Sequence, residues 1–349
     1  MANKKELVIG IDIGTHAVKV CQLQPSGKEG YRLLAAGSAA LPAEAVEDGD
    51  LKEPKAVGKT VAALLKNLQV KGKKVGVSIS GYSVIVKKIN LEQMSDEELR
   101  KYIAMEAEQY IPFDSKDIYL DFQRLPARKA GSDRQDIMLV AAKKEVVNHY
   151  LDMLAALKLN PVLVDVDGFA LSNIWGVVTS SEVNVALIDI GASKMNINII
   201  ADGVSVVARD VAVGSAQLTN RIAVDLDVDY DLAEKIKLGA VSVPEHEAKI
   251  RGIFTKVCSQ WAMEIRKAVD LYRSNNQKRS LSHIVLSGGG AKVSGLSEYI
   301  AKEIDLPVQV FDPFDRIQVD EKRFDRQFLA ALGPEMAIAA GLAIRPATL

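Results

Sequence analysis

Apolar residues follow the same order in two separate stretches of the chain. Residues 8–23 (VIGIDIGTHAVKVCQL) and 185–200 (VALIDIGASKMNINII) each contain an apolar run, the tetrad Ile-Asp-Ile-Gly and a second apolar run. A turn-forming cluster and a third apolar segment follow each stretch. The pattern predicts strand, tight turn, strand, turn and strand in both places, followed by helices over 54–68 and 215–225. We interpret the two units as an internal duplication.

A block between the two units, residues 74–157, has a mixed pattern of its own. KKVGVSISGYSVIVKKINL alternates as paired strands do, and DIYLDFQRL and QDIMLVAAK predict two further strands. Ser95 and Glu98 have the spacing of a helix capping box, and Pro112 follows the end of that helix. EVVNHYLDMLAALKL predicts a second helix. We therefore predict a small inserted α+β subdomain over this block.

The remaining segments alternate between predicted strands and helices. PVLVDVDGFALSNIWGVV predicts a buried strand and a helix, and residues 247–275 predict a long amphipathic helix. LSHIVLSGGGAKVSGLSEYIAKEI predicts a strand, a glycine turn and a helix, and LGPEMAIAAGLAIR predicts an alanine-rich closing helix. This alternation predicts an α/β protein in which helices cover mixed sheets. The predicted parts are lobe 1 at 1–73 and 158–182, the insertion at 74–157, lobe 2 at 183–214 and 279–349, and a second part of lobe 2 at 215–278.

Composition narrows the classes of function. The 349 residues carry a formal net charge of -1, which offers no basic surface for a nucleic acid, so we expect no such partner. No apolar run approaches the ~18 residues of a membrane-spanning helix, and the first residues contain no apolar signal core. Cys21 and Cys258 lie far apart, so a reducing cytoplasm is favoured over a disulfide framework. The four histidines show no metal-ligand spacing.

The two repeated turns carry the residue types of a phosphate site. In the first copy, Asp12 ends a buried strand, Gly14 permits a close backbone approach, and Lys19 supplies a mobile cation. Exposed amides in such a turn bind anions, and the carboxylate is suited to a hydrated Mg²⁺. Asp189, Gly191 and Ser193 repeat this set in the second copy. A single Asp-x-Gly is usually only a turn, but two copies in matching strand contexts favour a nucleotide clamped between two lobes.

Two further motifs are less specific. Three glycines, Gly288–Gly290, follow a predicted strand and precede a helix, which would let a ring or a phosphate lie against the backbone. They do not form a GxGxxG dinucleotide motif, and an ordinary turn remains an equal alternative. Glu234 and Lys237 lie three residues apart on one helical face, where a solvated ion pair is the ordinary interpretation.

Five motifs in order resemble the actin, Hsp70 and sugar-kinase ATPase superfamily. GIDIGTHAVK resembles its first phosphate motif, LIDIGASKMN its second and IVLSGGGAKVSGL its adenosine motif. VDVDGFALS and EMAIAAGLAIR occupy the places of its two connecting helices. The resemblance covers essentially the whole chain and implies a two-lobed actin-like (RNase H-like) ATPase fold that binds ATP or ADP with Mg²⁺.

The resemblance also implies a role for individual residues. Asp12 and Asp189 would hold Mg²⁺ through water, and Asp167 lies where hydrolysing relatives often place a water-orienting Glu or Gln. The other implied nucleotide contacts are Gly14, Thr15, Lys19, Gly191, Ala192, Ser193, Gly214, Ser215, Glu234, Lys237, Gly288, Gly289 and Gly290. Two departures bear on catalysis: active relatives commonly have glycine at the place of Ala192, and Asp167 is one methylene shorter than Glu. A misplacement of ~1 Å costs on the order of 10²-fold in rate, so we expect ATP to be bound better than it is hydrolysed.

The position of the insertion narrows the resemblance within this superfamily. The gap at residues 41–53 is too short for the extra subdomain of actin and MreB, whereas an insertion after the first helix resembles the 1C subdomain of FtsA. The segments EAEQYIPF, DIGA and GSAQLTNRIA, together with the absence of an FtsA-like tail, are similar to the PilM family of type IV pilus assembly proteins. The cytoplasmic domain of type II secretion protein L is a related candidate, but it leads into a transmembrane helix.

Membership in that family implies a set of partners and a location. The partner would be the N-terminal cytoplasmic tail of PilN, docked between the insertion and the first lobe, with GYSVIVKKINL and EQYIPFD as candidate lining segments. The protein would sit at the inner face of the cytoplasmic membrane, reaching other components of the pilus platform through its partners. Two alternatives remain at this point: an FtsA-like polymerising division protein and a small-molecule kinase of the same superfamily.

Overall fold

Two five-stranded sheets with the same topology form the centre of the protein. The computed structural model describes residues 6–27, 30–126, 133–179, 183–276 and 279–347, so the first five residues, which include part of the start examined for a signal core, lie outside it. The first sheet contains, in spatial order, Gly30–Ala40 (β3), Ala17–Ser26 (β2), Ile9–Ile13 (β1), Lys74–Ile79 (β6) and Asn160–Val166 (β10). The second contains Val204–Val211 (β13), Met195–Ala201 (β12), Val185–Ile190 (β11), His283–Ser287 (β14) and Val308–Val310 (β15). In each sheet the first three strands are antiparallel and the last three are parallel. The predicted duplication is therefore visible in the topology of the sheets.

The described strands are β1 Ile9–Ile13, β2 Ala17–Ser26, β3 Gly30–Ala40, β4 Val46–Glu47, β5 Asp50–Leu51, β6 Lys74–Ile79, β7 Val84–Glu92, β8 Ile118–Arg124, β9 Arg134–Lys143, β10 Asn160–Val166, β11 Val185–Ile190, β12 Met195–Ala201, β13 Val204–Val211, β14 His283–Ser287 and β15 Val308–Val310. The described helices are α1 Pro54–Asn67, α2 Asp96–Tyr110, α3 Lys144–Ala156, α4 Asp167–Val178, α5 Ala216–Leu226, α6 Tyr230–Lys237, α7 Glu247–Asn275, α8 Leu296–Ile304, α9 Arg326–Leu332 and α10 Ala337–Ala343. None of the described helices is long and apolar enough to cross a membrane.

Two helices, α4 and α10, lie between the sheets and share one apolar core with both of them. Helix α10 approaches its neighbours closely because its inner face consists of alanine and glycine. A Cβ on Gly341 would lie 1.9 Å from the carbonyl oxygen of Ala170 in α4. A Cβ on Gly10 of β1 would likewise lie 2.1 Å from the carbonyl oxygen of Ala339. These close contacts hold the two repeated units against each other, and with them the turns that follow β1 and β11.

The inserted unit is smaller than the sequence predicted. Strand β6 does not pair with β7; it is a parallel neighbour of β1 in the first sheet, and its residues Val75, Val77 and Ile79 belong to that core. Helix α3 packs in the same core through Tyr150 and Leu154. Strand β6 and helix α3, which the prediction placed in the inserted subdomain, therefore pack with the first lobe, because apolar alternation alone does not reveal which sheet a strand joins.

The inserted unit itself consists of β7, α2, β8 and β9. Its sheet has the order β7-β9-β8, and α2 packs on it through Leu99 and Ile103. The predicted capping box is present: the Ser95 hydroxyl accepts from the Glu98 amide at 3.3 Å, and the Ser95 amide donates to the Glu98 carboxylate at 2.8 Å. This local signal fixes the start of α2.

The end of the described chain returns to the first lobe. Strands β14 and β15 belong to the second sheet, and helix α8 packs in the core of that sheet. Helix α10 packs on β1 and β2, and the Val8 amide donates to the Arg345 carbonyl at 3.0 Å. Helix α10, which the prediction placed in lobe 2 with the rest of 279–349, therefore also packs on the first sheet. The segment 215–276 shares one continuous core with the second sheet, because α5, α6 and α7 pack on it together.

Candidate functional site

The turn after β1 brings a buried carboxylate and a lysine together. The Gly14 amide closes the turn by donating to the Ala17 carbonyl at 3.1 Å. Asp12 and Lys19 face each other across the β1–β2 ladder, and their side chains form an ion pair of 3.1 Å. Burial raises the pKa of the Asp12 carboxyl, although Lys19 opposes this shift. A Cβ on Gly14 would lie 3.0 Å from the Lys19 ammonium, so glycine leaves this end of the turn open to a ligand.

The turn after β11 has the same backbone geometry. The Gly191 amide donates to the Lys194 carbonyl at 2.9 Å, matching the bond that closes the first turn. Asp189 accepts a hydrogen bond of 2.8 Å from the Ser287 hydroxyl of β14. Burial, reinforced by the neighbouring Asp12 and Asp167, raises the pKa of Asp189 to about 6, although the Ser287 bond opposes the shift. The duplicated turns therefore each place a desolvated carboxylate at the end of a central strand.

The two turns meet across a cleft. The hydroxyl oxygens of Thr15 and Ser193 lie 2.6 Å apart and share a hydrogen bond, which joins the two lobes. A cavity of about 310 Å³ lies beside this contact. Thirteen of the sixteen residues predicted for the site line it: Asp12, Gly14, Thr15, Lys19, Asp167, Asp189, Gly191, Ala192, Ser193, Ser215, Glu234, Lys237 and Gly289.

Asp167 begins α4 at the floor of this cleft. Its Oδ2 accepts a short hydrogen bond from the Ser80 hydroxyl and lies 3.1 Å from the Lys194 ammonium. Burial opposes ionisation of this carboxyl, but Lys194 and the neighbouring hydroxyls of Ser78 and Ser80 outweigh it and lower the pKa. Both contacts fall on Oδ2, so this oxygen of Asp167 already has two partners.

Helix α6 supplies the opposite wall. Lys237 forms an ion pair of 2.7 Å with Glu234, and the Thr219 hydroxyl donates to the same carboxylate at 2.7 Å. Burial lowers the pKa of Lys237, although Glu234 opposes the shift. The alternative interpretation of this pair as a solvated helical ion pair does not hold, because the Lys237 side chain is buried.

Three of the predicted glycines do not line the cavity but support the second turn. A Cβ on Gly214 would lie 2.3 Å from the Ala192 carbonyl oxygen. Gly288 has a positive φ of 81°, and its Cβ would lie 2.4 Å from the Ile190 carbonyl oxygen. Gly290 packs equally closely on the Ile190 side chain. Within the triplet, only Gly289 faces the cavity.

The cleft is also lined by six polar residues that the sequence analysis did not single out: His16, Ser38, Lys194, Tyr230, Lys292 and Glu335. His16 and Lys194 lie inside the two repeated turns, and Tyr230 begins the helix of Glu234, so proximity to the motifs was an available signal. Lys292 and Glu335 form an ion pair of 3.2 Å between distant segments, for which the sequence contains no local signal.

The charges of the cleft suit a polyphosphate that arrives with a divalent cation. Five carboxylates and four lysines line the cavity, so the protein alone does not neutralise a triphosphate. Within the described residues, no group of three or more His, Cys, Asp and Glu side chains is arranged to hold a metal ion. Mg²⁺ keeps several waters and needs only one or two carboxylates, so Asp12 and Asp189 meet its requirements.

A second concave region lies between the inserted unit and the first lobe. Two adjoining cavities of about 360 and 550 Å³ share lining residues from β8, β9 and β10. Strands β8 and β10 are edge strands of their sheets, so both present unpaired backbone groups. Of the segments predicted to line this groove, Val84–Val86 of β7 line a separate cavity together with residues of β10, α4 and the second lobe, and Ile111 of EQYIPFD is buried in the insertion's own core.

The duplicated sheets, the two crossing helices and the facing turns define an actin-like fold. A family model described as type IV pilus assembly protein PilM matches residues 10–347. The chain therefore belongs to the PilM family of type IV pilus assembly proteins, as its motifs predicted.

Individual relatives agree with this assignment. The solved structure of a PilM–PilN type IV pilus biogenesis complex matches with a TM-score of 0.85 at 26% identity, covering 97% of each chain. The cell division protein FtsA of Borreliella burgdorferi is 22% identical over 375 residues, covering 94% of this chain and 90% of FtsA. MreB5 of Spiroplasma citri, solved with AMPPNP, matches with a TM-score of 0.56 at 12% identity, covering 97% of this chain and 95% of its own, and shows the shared fold alone. The pilus family is thus better supported than the FtsA alternative.

Proposed function

We propose that the protein is an ATP-binding scaffold of type IV pilus assembly that acts at the cytoplasmic face of the inner membrane. The observation that carries the nucleotide part of this proposal is the pair of equivalent turns facing each other across one cleft. Structures with the same fold have been solved with AMPPNP and with ADP, which supports the same class of ligand here.

Different residues of the cleft would bind the phosphates, the Mg²⁺ ion and the nucleoside. The amides of the Gly14 and Gly191 turns would contact the phosphates, and Lys19 would add a cation beside them. Asp12 and Asp189 would hold Mg²⁺ through its waters, and the metal would neutralise phosphate charge. Glu234, Lys237 and Gly289 would contact the nucleoside. These groups are already held in position by the core, so little ordering is needed on binding.

ATP hydrolysis should be slow because Asp167 is poorly suited to act as a general base. An effective general base has a pKa near the working pH, whereas Lys194 and the serine hydroxyls lower the pKa of Asp167. Its Oδ2 also already receives Ser80 and Lys194. We therefore expect ATP to act as a bound ligand that is turned over slowly.

Calorimetry tests the nucleotide proposal. ATP should bind in the presence of Mg²⁺ and bind more weakly in EDTA, and single-turnover hydrolysis should be slow. Lys19→Met should weaken binding about 10-fold or more, since it removes a cation from the phosphate region. Lys52→Met is the matched control, because Lys52 forms an exposed pair with Asp50 outside the cleft. Absence of nucleotide binding in the wild-type protein would contradict the proposal, and efficient sustained turnover would contradict the scaffold role.

The groove between the insertion and the first lobe supports the second part of the proposal, which is binding of the PilN N-terminal tail. An extended peptide can add to an edge strand while its alternate side chains enter pockets. Here β8 and β10 supply two edges, and Leu120, Val140 and Val164 supply apolar lining. The similar structure of a PilM–PilN complex motivates the choice of partner.

A synthetic PilN N-terminal peptide tests this assignment by titration. Val164→Lys should reduce peptide affinity at least ~10-fold, because it places a charge in an apolar groove while leaving the nucleotide cleft intact. Met105→Lys is the matched control, since Met105 is 79% exposed on the insertion and does not line the groove. Equal affinity of the peptide for the Val164 variant and the wild type would show that the groove is wrongly assigned.

A further inference from the structure

The cleft contains a lysine, Lys194, that has no lysine counterpart in the first copy of the repeated motif. The matching hydrogen bonds of the two turns align Lys194 with Ala17, because both carbonyls accept from the turn glycine. Lys19, the lysine of the first copy, aligns instead with Asn196, since they face Asp12 and Asp189 across their ladders. The second turn therefore adds a lysine where the first has only a methyl group.

Lys194 and Lys237 have different charged neighbours, and those of Lys194 lie at the turns. The charged neighbours that influence it are Asp167, Asp210 and Asp12. Those that influence Lys237 are Glu234 and Lys292, at the other end of the lining. If the nucleoside lies against α6, the phosphates extend towards the turns, and the terminal phosphate is the part that approaches Lys194.

Asp167 would keep one hydrogen-bond partner if Lys194 moved to a ligand. Asp167 also accepts from the Ser80 hydroxyl, so it keeps a hydrogen bond if the lysine moves. The Lys194 side chain lines the cavity, and a flexible lysine stem carries its charge over several ångströms. A terminal phosphate has three acceptor oxygens and more negative charge than one carboxylate, so it competes with Asp167 for the ammonium group.

We propose that Lys194 distinguishes nucleoside triphosphates from diphosphates, by exchanging its bond to Asp167 for one to the terminal phosphate. This inference rests on the proposed nucleotide function and adds a residue that sets its specificity. A diphosphate does not reach Lys194, so the lysine stays on Asp167 and contributes nothing to the affinity for ADP. The preference for triphosphates is the difference between the two binding free energies, and it would depend on the Lys194 side chain.

The test compares dissociation constants for AMPPNP and ADP, both with Mg²⁺. Lys194→Met should lower the preference for AMPPNP about 10-fold while changing ADP affinity less than about 3-fold. Asp167→Asn should change the preference in the opposite direction, because the lysine loses its competing partner. Lys292→Met is the matched control at the other end of the cleft, and it should affect both nucleotides by the same factor. Lys194→Arg should retain the preference.

The outcomes separate this inference from the function on which it rests. If the wild-type protein binds neither nucleotide, the proposed function is wrong. If it binds both and Lys194→Met weakens them equally, the nucleotide function stands and the role of Lys194 is refuted. Thermal unfolding of each variant identifies loss of folding. Asp167→Asn is then compared in the wild-type and the Lys194→Met backgrounds, because a partner exchange raises the preference for AMPPNP only where the lysine is present, whereas loss of repulsion alone raises it in both.

Discussion

Asp189 imposes a stability cost on the unliganded protein, and replacing it with asparagine should remove that cost. The amide oxygen of the new side chain would still accept from Ser287, so the change removes mainly the charge. Burial and the neighbouring carboxylates raise the pKa of Asp189 from its ordinary 3.8 to about 6. A shift of that size corresponds to about 3 kcal/mol of destabilisation when the carboxylate is ionised. Asp189→Asn should therefore unfold at higher denaturant concentration than the wild type at pH 7.5, although it should bind Mg-nucleotide more weakly.

The raised pKa of Asp189 determines how the stability gain of Asp189→Asn depends on pH. Because the folded-state pKa lies above the unfolded-state value, the folded protein binds more protons over the interval between them. The free energy of unfolding contributed by Asp189 is highest below the unfolded pKa and falls as pH rises through about 6. The advantage of Asp189→Asn should be about 3 kcal/mol at pH 7.5, about half of that at pH 5, and close to zero near pH 3.5.

Urea denaturation of nucleotide-free protein in EDTA measures these differences. Asp270→Asn is the control, because Asp270 forms an exposed helical pair of 3.8 Å with Arg273, and it should change stability by less than about 0.5 kcal/mol. An Asp189→Asn variant that is less stable than the wild type at pH 7.5, or a difference independent of pH, would refute the argument that this carboxylate is held against its ordinary pKa.

Two further predictions concern the glycine triplet and the cysteines. Gly288→Ala should destabilise the protein by about 2 kcal/mol or more in thermal unfolding, because Gly288 has a positive φ and its Cβ would lie 2.4 Å from the Ile190 carbonyl oxygen. Gly289→Ala should cost about 1 kcal/mol or less, since the nearest atom to its Cβ would lie 4.0 Å away. Equal effects of the two substitutions would contradict the assigned packing. Cys21 and Cys258 are free and buried, and burial raises the pKa of Cys258 to about 12, so both thiols should resist a thiol reagent in the native state and react only after denaturation.

Local patterns in the sequence were sufficient to predict much of the fold. The Ile-Asp-Ile-Gly repeat predicted two equivalent units, and the structure has two sheets of identical topology. The Ser95–Glu98 capping box marked the start of α2. Such features depend on neighbours within a few residues, which a single sequence displays directly.

Long-range pairing was the part that the sequence did not reveal. The alternation in residues 73–91 predicted paired strands, yet β6 joins the large sheet and β7 the small one. Nothing local specifies that α10 returns to β1, since close packing of Gly10 and Gly341 becomes apparent only in three dimensions. The same limit applies to the site: Lys292 and Glu335 meet only through folding, and Gly288 and Gly290 prove to support the second turn from behind rather than line the cleft.

The central claim is that the two repeated turns grip one nucleotide from opposite sides. A crystal structure of the protein with Mg²⁺ and AMPPNP tests it most directly. We predict phosphate oxygens within hydrogen-bond distance of amides in both turns, at Gly14–Thr15 and at Gly191–Ser193, with the nucleoside against α6. A nucleotide that contacts only one turn, or that binds outside this cleft, would contradict the account.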